Sequence, residues 1–256
     1  MTFALNNQEK TAYQRDGYVA RTSVFDPDET RQIAQACEDL IAWVLTQDRK
    51  AKEEAGAYVF EWLTKLKIAV KWEKDNRDVV LGLEPFAHLS PALETWANDD
   101  RLLEPMKGVL GFDSIELFTE KLNVKRAEHG GPIVLHQDFP YWVRVAEDPN
   151  HVGTAILFLD DATIENGCLE VVPGSHREGL RQRQEVEGFG GHEMAGDKFD
   201  IDRMIPLEVP AGSVVWFGSL LVHRSAPNRT KHDRRALLYS YQPTGRRHLR
   251  EAVFGV

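Results

Sequence analysis

The stretch Pro132-Ile133-Val134-Leu135-His136-Gln137-Asp138-Phe139-Pro140-Tyr141-Trp142 decides how the rest of this chain is read. Its apolar lead-in is strand-like, and the aromatics after Asp138 can wall a pocket. In an extended strand, residues i and i+2 project to one side. His136 and Asp138 can therefore bring an imidazole nitrogen and a carboxylate oxygen to a single point. Two such ligands hold a metal poorly, so a third must come from elsewhere in the chain. The run from Gly212-Ser213-Val214-Val215-Trp216-Phe217 to Leu220-Leu221-Val222-His223 can supply it. Apolar, β-branched and aromatic, it reads as one buried strand, or two short ones, delivering a His at its end.

Two His and one carboxylate on one face of a metal, with the opposite positions open, form the ligand set of non-haem Fe(II) oxygenases. An isolated His-x-Asp would carry little weight, because a hydrogen-bonded core histidine beside a turn aspartate is its ordinary reading. The surrounding order sharpens it: Arg234 follows His223 and opens a further strand-like run, Ala236-Leu237-Leu238-Tyr239-Ser240-Tyr241. His176, in Pro173-Gly174-Ser175-His176, reads as organising a turn. His88, His129, His151, His192, His232 and His248 lack a partner at metal-like spacing and read as surface or loop residues.

Composition sets outer bounds. A chain of 256 residues with 42% apolar content can bury a real core as one domain. A net charge of −9 argues against nucleic acid as a partner, since phosphate binding wants a basic surface. Two cysteines, Cys37 and Cys168, are too few for a disulfide framework and suit a reducing cytoplasm. No apolar run approaches the ~20 residues of a membrane helix, and no signal peptide is read at the N-terminus. A soluble cytoplasmic protein acting on a small molecule is the expectation. Nothing in the sequence reads on oligomeric state.

Helices are expected first and strands later. Asp26-Pro27-Asp28-Glu29 has an N-cap, a Pro at the first position and a capping-box Glu. Ile33, Ala36, Cys37, Leu40, Ile41, Val44 and Leu45 then form an apolar stripe, predicting a helix to about Lys50. Ser90-Pro91 predicts a helix through Trp96, and Asp99 or Asp100 one through Val109, stopped by Gly111. The segment from Ala57 to Val80 has no clear period and is expected to cover part of the site's mouth. Strands are predicted at Ile115–Leu122 and Thr154–Leu159, and Asn166-Gly167 predicts a two-residue hairpin into Cys168–Val172. Gly188 to Asp200 reads as a mobile lid loop, and the basic tail Arg246-Arg247-His248-Leu249-Arg250 as solvated. Recurrent short strands with regular turns suggest a sandwich or barrel, and the fold class is placed as mainly β with flanking helices on a double-stranded β-helix (jelly roll) core. The helical part spans about 26–110 and the jelly roll about 115–245 of a single domain, 1–256.

Three groups of residues resemble the phytanoyl-CoA dioxygenase family of Fe(II)/2-oxoglutarate oxygenases. They are His136-Gln137-Asp138 with Tyr141-Trp142, the stretch from Glu165 to His176, and His223-x-Ser225 through Pro227-Asn228-Arg229 to Arg234-Arg235-Ala236. They stand in the family's order and cover roughly Leu117 to Pro243. The first half matches more loosely, through Asp16-Gly17-Tyr18-Val19. The resemblance implies iron held by His136, Asp138 and His223, with 2-oxoglutarate taking two open positions and O2 the third. It also implies oxidative decarboxylation to succinate and CO2 coupled to hydroxylation of substrate. With a carboxylate at 138, hydroxylation is favoured over the halogenation seen in relatives carrying Gly or Ala there. Arg234, eleven residues after His223, matches the Arg that receives the distal carboxylate of 2-oxoglutarate. A guanidinium suits that task because it is permanently charged and forks onto a carboxylate. Ser225 matches a hydroxyl beside the same carboxylate, and Lys121 and Thr154 fall near further cosubstrate positions. Arg235 should face away. The competing readings are a cupin-like metal-binding jelly roll without 2-oxoglutarate chemistry, and a non-catalytic sensor. The first has no use for Arg234 at that spacing, and the second no reason to keep a ligand set.

Overall fold

The computed structural model of the protein describes residues 3–55, 58–181 and 201–255. The predicted lid at Gly188–Asp200 lies outside them. Among the described residues two antiparallel sheets face each other, with strands numbered here in chain order. The larger runs β1 (Tyr18–Arg21), β11 (Val214–Gly218), β8 (Gly153–Phe158), β13 (Arg234–Pro243), β6 (Ile115–Lys125), β5 (Val80–Glu84), β4 (Ile68–Trp72), β3 (Tyr58–Leu63), β2 (Lys52–Ala55). The smaller runs β10 (Ile205–Leu207), β9 (Leu169–Val171), β12 (His223–Ser225), β7 (Ile133–His136). This is the expected mainly-β, jelly-roll architecture with flanking helices.

Alternation along each strand sorts its side chains between two environments. On one face of the large sheet, Leu157, Trp216, Leu237, Tyr239 and Tyr241 meet a helical layer. After α1 (Asn7–Asp16), that layer is α2 (Pro27–Leu45), α3 (Pro91–Ala97) and α4 (Asp100–Leu110), which contribute Ile33, Cys37, Val44, Leu93 and Met106. Three buried polar tips dock the helices: Tyr239 donates to the Leu93 carbonyl at 3.0 Å, Tyr241 to Ala97 at 2.7 Å, and the Trp216 indole to Leu102 at 3.1 Å. On the other face, Ile156, Phe158, Val215, Phe217 and Ala236 pack against Leu169 and Val171 of the small sheet.

The helix starts lie where capping predicts. Asp26 closes a capping box with Glu29, Ser90 caps α3, Asp99 caps α4, and Gly111 ends α4 in the left-handed region. α2 stops at Leu45 rather than near Lys50. Thr46 turns its hydroxyl back onto the Trp43 carbonyl at 2.7 Å, and the Lys50 N–H is drawn onto the buried Glu61 carboxylate at 2.6 Å.

Two expectations need correction. The stretch placed in the helical half contains four strands, β2 to β5, which extend the large sheet. Tyr58, Phe60 and Trp62 alternate with Val59, Glu61 and Leu63; of the charges that obscured the period, Glu61 lies on the opposite face, while Lys71, paired with Phe60, shares the face of the aromatics. Gly82 lets this extension join β6: a Cβ there would lie 2.3 Å from the Leu122 carbonyl oxygen. The second correction concerns Asn166-Gly167, which turns the chain with Gly167 at φ +77° but makes no hairpin. The flanking strands β8 and β9 belong to different sheets, and Asn166 bonds Thr163 and Asp161 within the crossover.

Candidate active site

Between the sheets lies a cavity into which His136, Asp138 and His223 all project. β12 pairs with β7 so that His223 stands directly across from His136, with ring centroids 4.1 Å apart. His223 opens β12 instead of ending a strand. The buried run divides between the sheets as β11 and β12, with the turn at Ser219–Leu220 between them. Asp138 reaches the same point by an unexpected route. Its backbone has left the strand for helical dihedrals (φ −72°, ψ −40°) at the start of α5 (Phe139–Trp142). The Asp138 and Phe139 N–H groups both donate to the Ser219 carbonyl, at 3.0 and 3.2 Å. That bend, rather than strand alternation, brings one Asp138 oxygen to 3.4 Å from His136 Nε2 and 4.0 Å from His223 Nε2.

The three ligand atoms lie within 4.8 Å of one another, and all three side chains are buried. Each ring donates Nδ1–H to a carbonyl two residues back on its own chain, His136 to Val134 at 2.7 Å and His223 to Leu221 at 2.9 Å. This fixes the tautomer and leaves each Nε2 lone pair aimed at the shared point. Burial, with His136 alongside, pushes His223 down to about 4, so it stays neutral as a metal ligand must. Burial alone would raise Asp138. The His136 ring beside it, with His223 and Lys121 nearby, outweighs burial and holds the carboxyl well below the usual carboxylate range. Behind it, Thr154 Oγ1 lies 3.4 Å from the other carboxylate oxygen and 2.9 Å from Ser240 Oγ. Thr154 therefore steadies Asp138 and is not on the cavity wall where a cosubstrate contact was expected. Lys121 and Ser225 are on that wall.

Arg234 enters the cavity from β13 and is 5% exposed. One nitrogen donates to the Gly167 carbonyl at 2.9 Å, while its buried Nε has no hydrogen-bond partner. No described carboxylate lies within ion-pair distance of it. Burial pulls its pKa down to about 10. A buried guanidinium left this way is costly unless an anion completes it, which fits the distal carboxylate of a keto acid. Arg235, its neighbour, points the other way onto Asp160 and Glu38, as alternation requires.

The remaining walls were less legible. Phe60 and Trp62 stack at 5.5 Å, Lys71 bonds Glu84 at 2.7 Å, and Glu84 lies 3.5 Å from Lys121. All five line the cavity, and the alternation of Tyr58-Phe60-Trp62 was the available signal. Residues of the segment expected to cover part of the mouth thus line the cavity itself. The basic tail is not simply solvated: α6 (Leu249–Phe254) lays Leu249, Arg250 and Phe254 on the cavity, with Phe254 against Trp62 at 6.0 Å. Gln137, fully buried, ties the Gly179 and Leu220 carbonyls and the Arg181 N–H together behind the ligands. His176 lies apart from the site, in a 3-10 turn against Tyr13.

The sequence model of a family described as phytanoyl-CoA dioxygenase (PhyH) matches residues 13–236. A methylphosphonate hydroxylase of Gimesia maris is 27% identical over 99% of this chain and 87% of its own length. An L-proline trans-4-hydroxylase of Streptomyces griseoviridis is 34% identical over 50% of this chain and 54% of its own. Among solved structures, EctD from S. alaskensis with 2-oxoglutarate and 5-hydroxyectoine superposes with a TM-score of 0.74. It is 21% identical, with 95% of this chain and 78% of that one covered. That likeness shows a shared fold.

Proposed function

The chain belongs to the phytanoyl-CoA dioxygenase (PhyH) family, and we propose that it is an Fe(II)/2-oxoglutarate-dependent dioxygenase that hydroxylates a small organic substrate. One observation carries this reading: a convergent His136–Asp138–His223 set shares its cavity with a buried Arg234 that has no anionic partner among the described residues. A cupin-like site would have no need of that guanidinium, and a sensor no need of both.

His136, Asp138 and His223 would hold the iron, and Arg234 with Ser225 the distal carboxylate of 2-oxoglutarate. Bound iron and 2-oxoglutarate supply O2-dependent oxidation of a C–H bond, with release of succinate and CO2. The chain's own part is positioning. The Val134 and Leu221 carbonyls orient the two rings, and Thr154 orients the carboxylate. Lys121 lends positive charge beside Asp138, and Tyr141, edge-on to His136 at 5.6 Å, excludes water from that side. The described elements serve as one oxygenase domain. Cys37 and Cys168 are both buried and unpaired, which supports a reducing, cytoplasmic setting. No described helix is long and apolar enough to cross a membrane.

The test is an anaerobic titration of metal-free protein with Fe(II) and then 2-oxoglutarate, following the visible charge-transfer band of a chelated keto acid. The band should appear, and Arg234→Ala should lose it while Fe(II) binding persists. Ala at 136, 138 or 223 should each weaken Fe(II) binding itself. Tight Fe(II) binding with no band would favour the cupin-like reading, and no metal binding would leave the sensor.

A further inference from the structure

The cavity carries more positive charge than iron and 2-oxoglutarate use. Lys71, Lys121 and Arg234 line it against two carboxylates, Glu84 and Asp138, leaving one positive charge in excess. Iron(II) brings two positive charges and the 2-oxoglutarate dianion two negative ones, so loading does not change that excess. Arg250 at the rim adds to it, whereas Arg224 is spent outside on Glu170 at 2.9 Å.

The excess has a location. Glu84 stands between the two lysines, 2.7 Å from Lys71 and 3.5 Å from Lys121. Lys121 faces the metal side, 5.4 Å from the Trp142 ring and 5.9 Å from Tyr141. Lys71 lies among the aromatics of β3, 5.9 Å from Tyr58 and 5.7 Å from Phe60. All three charged side chains are at most 17% exposed, so water screens them weakly. One carboxylate cannot neutralise two buried ammonium groups. Beside Lys71 the stacked Phe60 and Trp62, closed by Phe254, form an apolar shelf that makes no use of charge.

We propose that the substrate is a small organic oxyanion, a carboxylate or phosphonate, whose charged end is received at Lys71 beside Glu84 and whose apolar body lies on Phe60 and Trp62. The proposal rests on the reading of this cavity as an Fe(II)/2-oxoglutarate site. It assigns the Lys71 end of the cluster to substrate selection. Glu84 then has a definable part: it holds Lys71 in place and lowers the charge the anion sees, so its removal should tighten anion binding.

Three probes with one aromatic body separate the possibilities: phenylacetate, benzylphosphonate and neutral phenylacetamide. Calorimetry on anaerobic protein loaded with Fe(II) and 2-oxoglutarate gives their affinities, with loading verified by the charge-transfer band. At least one anion should bind roughly tenfold or more tighter than the amide, as expected of a charge-assisted hydrogen bond. Which anion binds tighter tells carboxylate from phosphonate. Lys71→Met should erase the anion preference while leaving amide binding unchanged, and Glu84→Gln should strengthen it. The opposite signs guard against a variant that merely misfolds. Equal binding of anion and amide, an anion preference untouched in Lys71→Met, or no binding of either anion would overturn the proposal. An absent band defeats the oxygenase reading instead. The Lys71→Met comparison is then repeated in metal-free protein, where Arg234 is also open to an anion, so that only the anion affinity lost on Lys71→Met counts for the proposal and none lost overturns it.

Discussion

Replacing Glu120 by Gln should make the protein's stability less sensitive to pH, and the size of the change follows from where the carboxyl sits. Glu120 projects from β6 toward the helical layer, is 5% exposed, and accepts the Phe86 and Ala87 N–H groups at 2.8 and 2.6 Å. Burial pushes its pKa from 4.5 up to about 7, although the two backbone donors pull the other way. Because the folded value lies above the unfolded one, the folded state holds a proton that the unfolded state releases between these limits. The stabilisation is complete below pH 4.5 and is lost as pH rises through 7. Each pH unit separating the folded and unfolded values corresponds to about 1.4 kcal/mol, so native stability should fall by about 2–3 kcal/mol from this group between pH 5 and pH 8. The amide introduced by Glu120→Gln keeps an acceptor for both N–H groups and does not titrate. The variant should therefore gain about 2–3 kcal/mol on the parent over that interval, or roughly 5–10 °C in melting temperature for a domain of this size. Urea denaturation of both proteins at pH 5, 6, 7 and 8, followed by tryptophan fluorescence, isolates the effect, since every other group is common to the pair. A stability gap that stays constant with pH would refute the reasoning, because it would mean the carboxyl titrates normally despite its burial.

Two further substitutions probe the frame around the site. Gly167→Ala would place a Cβ 2.0 Å from the Ala226 carbonyl oxygen at a positive φ. It should cost about 1–3 kcal/mol and weaken 2-oxoglutarate binding, because the Gly167 carbonyl holds Arg234. Wild-type melting and an unchanged charge-transfer titration would contradict this. Gln137→Leu leaves the Gly179 and Leu220 carbonyls and the Arg181 N–H without their partner, and should lower stability by about 2–4 kcal/mol in urea denaturation. Unaltered stability would show that these groups find other partners.

The sequence by itself determined whatever depends on neighbours within a few residues. The Asp26, Ser90 and Asp99 caps, the Gly111 stop and the strand periods of β6, β8 and β13 are local, set by hydrogen bonding at helix ends and by side-chain alternation. The sequence also singled out His136, Asp138, His223 and Arg234, which the structure gathers around one cavity, because few residue types suit a metal or an anion and their order along the chain was distinctive. Tertiary structure decided how they meet. Asp138 reaches its place through a bend held by the Ser219 carbonyl, more than eighty residues on, where strand geometry alone predicted a different path. Thr154 moved from cosubstrate contact to support of Asp138 because register in the large sheet sets it behind the carboxylate. The Lys71–Glu84–Lys121 cluster and the Phe254 closure join β3, β4, β5, β6 and α6. Such contacts arise from pairing between distant segments, and no local period encodes which strands become neighbours.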